Sequence, residues 1–460
     1  MKTINLNIST IKRVLWGIAF LGLFILINHT ILRGQWIRDI ELYFEYSRNI
    51  LAGQIPYFDF AAEYPPAAFL PMLPPQLLAQ ESLDQYRVWF AVENCILVCL
   101  GAILGLQLES NSAPKLNIQF KVWRRLKWIL PLAISAVLVF WLSPLLFLAL
   151  IILPLIVGIT RSTRLTSQQK QTLGVYGIYI LILSPLWLWR YDIFVAVIIL
   201  LSLVSLRQSR FVFSGLCVGL GILAKLYPVM MLPPIALYLL VQRAYAQLLK
   251  FGLAVVGICG LGTLPFLLVD RHQFFSFLGY HQERPLQLES LPAGVAILLH
   301  QLDILDVEKI LSHSSESLVF PGDRLILSLL PIIFVVGCCL SSGWLGYCFS
   351  KQYQKQTQIP LMWLMESCLL LHLVFMLSNK VFSPQYVIWL LPFMICASQR
   401  SRIIFLWVCL LTILVYPTFY AQLLSSPMVA LLLNARNGLM LVWAMLVCNQ
   451  LKPRASERIP

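Results

Sequence analysis

Long apolar runs separated by short polar breaks fill the chain from end to end. Runs such as VLWGIAFLGLFILINHTIL (14–32) and LLLNARNGLMLVWAMLVC (431–448) are long enough to cross a bilayer as helices. Counting them predicts an all-α polytopic membrane protein with about 12–14 transmembrane helices. NHTILRGQ, at the end of the first run, offers no small-residue cleavage site, so that run reads as a signal anchor. One segment breaks the pattern: YPPAAFLPMLPPQLLAQ (64–80) carries five prolines, a poor composition for a straight helix. If it crosses, the basic loop at 115–127 becomes external unless 128–160 is one long span. If it is re-entrant, 128–160 splits at Ser143–Pro144 and the loop stays inside; charge favours this second reading. Just before it, Ile37, Ile40, Phe44 and Leu51 follow helical spacing until Gly53 and Pro56. That predicts an amphipathic helix lying along the membrane surface, with Asp39, Tyr43 and Tyr46 on its other face.

Composition sharpens this picture. The chain of 460 residues is 59% hydrophobic and 12% charged, which excludes an ordinary soluble domain. Its net charge of +14 concentrates in short loops such as 161–170, 207–210, 351–356 and 398–402. The positive-inside rule makes those loops cytoplasmic, together with both termini. No aromatic-interleaved basic groove accompanies them, so no nucleic-acid partner is expected. The 11 cysteines lie in apolar segments without a CxxC pair and read as packing residues. No internal repeat or inserted soluble domain interrupts 1–460, which reads as a single integral membrane domain.

With that orientation, 33–63, 190–192, 225–228, 270–324 and 378–386 face outward. The first of these loops carries Asp39, Asp59 and Glu63 among tyrosines and prolines. WRYD, AKLYP, YHQERPLQLES and NKVFSPQY follow at helix ends, and bring Arg190, Lys225, His281, Arg284, Lys380 and Gln385. A single interfacial cation is adequately explained as a snorkelling anchor. Four clusters on the side opposite the basic loops run against the positive-inside rule, and together predict a pocket for an anion. Asp192 is expected to pair with Arg190 or Lys225, and Asp39 has the alternative role of a helix cap. Glu93 and Glu366, inside apolar runs, keep open a transporter or flippase of lipid-linked sugars. A transporter would place its acids at the midplane in matching halves, whereas here the polar residues gather on one side.

The ordered motifs RDIELY, GQIPYFDF, EYPP, RYDIF, AKLYPV, YHQERPLQLES and NKVFSPQYVIWLLPF resemble the C-type glycosyltransferase superfamily, family 87, over residues 13–398. Its bacterial members are polyprenyl-phosphate-sugar-dependent, mannosyltransferase-like enzymes. The resemblance implies a catalytic acid in the first external loop, which falls on Asp39. It also implies a donor sugar carried on a polyprenyl phosphate and a lipid or glycan acceptor at the outer face of a bacterial plasma membrane.

The chemistry is consistent with that resemblance. A carboxylate takes the proton of the acceptor hydroxyl, with Asp39 the first candidate and Glu63 or Asp59 behind it. Cations stabilise the departing phosphate, a role assigned to His281, Arg284, Lys380, Lys225 and Arg190. Tyr43, Tyr46, Asp59 and Gln385 complete the expected substrate contacts. Phosphate leaves as an anion, so no protonating acid is needed, and direct attack inverts the anomeric centre. Asp39 and Glu41 in DIE stand at i and i+2, on different faces of a helix. No cofactor is therefore expected, and a divalent metal is the disfavoured alternative.

Overall fold

The computed structural model describes residues 38–109 and 165–453. The expected spans at 14–32 and 128–160 lie outside the described residues. What is described is almost entirely helical. Helix α1 (Arg38–Leu51) is followed by α2 (Leu73–Ala79), α3 (Leu83–Glu109) and α4 (Ser167–Ile182). Next come α5 (Asp192–Arg207), α6 (Phe211–Ala224), α7 (Leu232–Val241), α8 (Tyr245–Phe274) and α9 (Ser276–Glu283). The remainder are α10 (Leu291–Gln301), α11 (Asp323–Gln356), α12 (Leu361–Ser378), α13 (Gln399–Ile413) and α14 (Pro427–Gln450). Among the described residues, six helices are long and apolar enough to cross a membrane: α3, α8, α11, α12, α14 and the stretch Gln399–Thr418 that begins with α13. The chain is an all-α polytopic membrane protein.

Burial separates these spans into two kinds. Helix α12 is packed on nearly every side, and buries Leu364, Leu369, Leu373 and Met376. Helices α8 and α11 instead expose apolar side chains such as Leu261 and Leu340, each at least 70% exposed, as surfaces in contact with lipid do. Close approach holds α8 to α6. A side chain at Gly219 would meet the Val255 carbonyl oxygen at 3.1 Å, so a Gly-x-x-x-Gly face (Gly215, Gly219) lets the two backbones pack together.

The first-loop helix ends as its sequence predicts. Gly53 stands at φ +87°, a conformation an L side chain resists, and the chain turns away from α1 there. The amphipathic division is different from the one expected. Ile40, Tyr43, Phe44, Tyr46 and Ser47 are all buried, while Glu41, Glu45 and Arg48 form the exposed stripe. The proline-rich segment forms a 3₁₀ turn (Pro66–Phe69) and then the seven-residue α2, packed against α3. Prolines 71, 74 and 75 keep this stretch from becoming one straight span.

The segment 270–324 contains a fold that the apolar pattern did not reveal. Strands β1 (Leu286–Gln287), β2 (Glu308–Ser312) and β3 (Ser315–Val319) form an antiparallel sheet in the order β1-β3-β2. Its hairpin turns on His313 and Ser314, both at positive φ, in place of the Asn-Gly that would have announced it. Leu286, Leu288, Ala293, Ile297 and Leu318 pack under the sheet with Val429 and Leu433 of α14 into a second apolar cluster. This segment is thereby anchored on the last helix.

Candidate active site

The loops of the five outward clusters meet around one cavity of about 970 Å³, a volume within the range of small-molecule sites. Asp39, Tyr43, Glu63, Arg190, Lys225, His281, Arg284, Lys380 and Gln385 all line it. Two of the expected substrate contacts lie elsewhere. Asp59 is exposed, and its carboxylate accepts the Ile55 backbone N–H at 2.6 Å to close a turn. Tyr46 is packed against Phe60 and Phe69, and its hydroxyl accepts the Glu63 backbone N–H at 3.3 Å. Tyr46 therefore holds Glu63 in place without facing the cavity.

Asp39 sits in the first turn of α1 and forms an ion pair with Arg190; of the two partners expected for Asp192, Arg190 or Lys225, it is Lys225 that pairs with it. This pair joins the first loop to the WRYD turn. The turn is held from below by Asn94 of α3, whose amide nitrogen donates to the carbonyls of Trp187 and Leu188 at 3.0 Å each. Glu41 pairs with Arg87 at 2.9 Å, so the two acids of DIE are engaged by different arginines. Among the described residues no group of three or more His, Cys, Asp or Glu is placed to hold a metal ion.

Asp192 opens α5 and is fully buried. One of its oxygens accepts from Lys225 Nζ at 2.7 Å and from the Trp389 indole at 2.6 Å. Lys225 Nζ also lies 4.7 Å from the centre of the Tyr191 ring and 5.5 Å from that of Trp389. Trp389 is stacked between Tyr227 (4.0 Å) and Tyr386 (3.7 Å). Asp192 thus fixes a lysine and an aromatic column that form one wall of the cavity.

The opposite wall comes from α9 and the sheet. Arg284 donates to the Ser315 hydroxyl at 2.7 Å, and Lys380 Nζ donates to the Gln282 carbonyl at 2.5 Å. The Gln287 backbone N–H donates to the Lys380 carbonyl at 3.0 Å, which locks the NKVFSPQY loop to β1. Burial, and then Arg284 beside it, lower the Lys380 ammonium below its usual range. His281 donates from Nε2 to the Glu63 carbonyl at 3.3 Å. Burial, reinforced by Arg284, pushes its imidazole down to about 4, so it offers an N–H at neutral pH and not the charge expected of it. Burial also raises the Glu63 carboxyl, opposed by a hydrogen bond with Tyr280 and by Arg284.

The floor between these walls is apolar: Leu226, Leu278, Leu327, Leu330, Pro331 and Phe334 reach it from the ends of α6 and α9 and from the lipid-exposed α11. An acid beside cations, with an apolar flank, suits a substrate that joins a hydroxyl, a phosphate and a lipid tail. Residues 126–340 match the model of glycosyltransferase family 87. That is a membrane family of the C-type fold, and the match indicates a glycosyltransferase and an integral membrane protein. The matched region holds Arg190, Lys225, His281 and Arg284, whereas Asp39, Glu63 and Lys380 lie outside it. No curated protein and no solved structure matches the chain.

Sequence reading had missed Asn94, Trp389, Tyr280 and the hairpin tip. Asn94 had a local signal, an amide beside Glu93 within an apolar run. Trp389 and Tyr280 had only the proximity of their motifs.

Proposed function

We propose that this glycosyltransferase moves a hexose, of which mannose is the leading candidate, from a polyprenyl-phosphate donor to a lipid or glycan acceptor at the external membrane face. The observation that carries this reading is one cavity that joins the Asp39 carboxylate, two cations that pair with no carboxylate among the described residues, and apolar side chains of α11. Asp39 takes the acceptor proton as the hydroxyl attacks the anomeric carbon, a contribution of about 10²–10⁴-fold. Arg190 orients that carboxylate. Arg284 and Lys380 bind the donor phosphate and stabilise the charge that grows as the glycosidic C–O bond breaks. His281, uncharged at neutral pH, holds the Glu63 carbonyl through its N–H, and Gln385 and Tyr43 line the sugar. A single displacement inverts the anomeric configuration.

Donor class supplies the test. Protein reconstituted in liposomes should transfer sugar from a polyprenyl-phosphate donor, ignore the matching nucleotide sugar and keep its activity in EDTA. Transfer from the nucleotide sugar alone would overturn the mechanism. Loss of activity in EDTA, restored by a divalent cation, would overturn only its metal-free part.

A further inference from the structure

The helix that begins as α13 does not run smoothly to its end. At Leu414–Thr418 it widens into a π turn, and Tyr416 leaves helical geometry altogether (φ −127°, ψ 119°). Pro417 has no N–H to return to Ile413, and the Thr418 hydroxyl donates to that carbonyl instead, at 2.8 Å. The Phe419 N–H reaches the Leu414 carbonyl at 3.0 Å. Single π turns of this kind are frequent at functional sites. Here the break turns Tyr416 into the cavity, where the Tyr420 ring meets it edge-on at 4.9 Å.

The Tyr416 hydroxyl accepts a hydrogen bond from the Arg190 guanidinium. Arg190 is itself buried and paired with Asp39. The three residues come from the first-loop helix, the WRYD turn and the C-terminal helices, so this contact closes a chain across the cavity. Tyr416 lies beyond both the family match at 126–340 and the motifs at 13–398.

We infer that Tyr416 is a positioning residue for sugar transfer, which holds the Arg190 guanidinium so that it aims the Asp39 carboxylate at the acceptor hydroxyl. This inference rests on the proposed function, since it assumes that Asp39 takes the proton. Without the hydroxyl the guanidinium keeps its charge but loses one of the contacts that orient it. The carboxylate then spends less time in the attacking geometry, and the rate falls while substrate binding is spared.

The test is a double-mutant cycle on purified full-length protein. Tyr416→Phe keeps the ring and its packing. It should lower kcat about tenfold to a hundredfold, the loss of one charged hydrogen bond, with both KM values within about twofold. In an Arg190→Gln background the same change should have almost no further effect, because its route of action is gone. Unchanged kcat in Tyr416→Phe would overturn the inference, as would a loss of equal size in the Arg190→Gln background. An Asp39→Asn variant run alongside separates the two claims. If it retains wild-type activity the proposed function fails; if it is inactive while Tyr416→Phe is normal, only the positioning role fails.

Discussion

The cavity holds two pairs of cations made of the same residue types, and they are held in opposite ways. Arg190 and Lys225 each end on a carboxylate, Asp39 and Asp192. Arg284 and Lys380 end on neutral oxygens, the Ser315 hydroxyl and the Gln282 carbonyl, and among the described residues no carboxylate lies within ion-pair distance of either. A buried cation with its own counter-ion is electrostatically complete and serves the architecture. One whose hydrogen bonds end on neutral oxygens keeps more of its attraction for an anion, and burial, with Arg284 beside it, lowers the Lys380 ammonium. Charge alone therefore does not identify a phosphate site; the counter-ion inventory does.

The comparison predicts separate phenotypes. Lys225→Met should be the most damaging to the fold, because it leaves Asp192 buried without its cation. Destabilisation of about 3–5 kcal/mol is expected for such a break, read as a large drop in the thermal midpoint in detergent. A midpoint near wild type would remove Lys225 from the structural class. Arg284→Gln and Lys380→Gln should do the reverse, and raise KM for the donor about tenfold to a hundredfold with the midpoint nearly unchanged. If acceptor KM rises in place of donor KM, the phosphate has been assigned to the wrong wall.

The smallest predicted effect is on pH. His281 is lowered to about 4 in the folded protein, below the ordinary imidazole range near 6.5. The unfolded chain therefore binds more protons between those values. Stability contributed by the neutral imidazole is complete above about pH 6.5 and is lost as pH falls towards 4. Melting curves of wild type and His281→Gln should converge in shape above pH 7, and the variant should lose less on acidification. Parallel curves down to pH 4 would show that the imidazole is not desolvated in the native state.

Much of this architecture was legible from periodicity alone, because an apolar run of membrane length admits few other structures. α1 and its stop at Gly53 were legible for the same local reasons, and so were the clusters that carry Arg190, Lys225, His281, Arg284 and Lys380. Of the pairings between distant segments, Asp192 with Lys225 was among those expected, and the others could not be read. Asp39 reaches Arg190, and Asp192 reaches Trp389. No local pattern encodes either choice, since each carboxylate had nearer candidates in sequence. The hairpin was hidden because His313 and Ser314 adopt turn conformations more typical of Asn and Gly. Asp59 misled for a related reason. In a loop, one carboxylate that closes a turn and another that contacts substrate have the same signature.

If Asp39 is the base, Asp39→Asn should remove catalysis without disturbing the site. The amide keeps the size and planarity of the carboxylate but cannot take a proton. Purified variant and wild type should be compared in liposomes with saturating polyprenyl-phosphate sugar and acceptor, with donor binding measured in parallel. In Asp39→Asn, kcat should fall about 10²–10⁴-fold while donor affinity changes little. Transfer at near wild-type rate would contradict it, and would leave the Asp39–Arg190 pair as a structural clasp between the first loop and the WRYD turn.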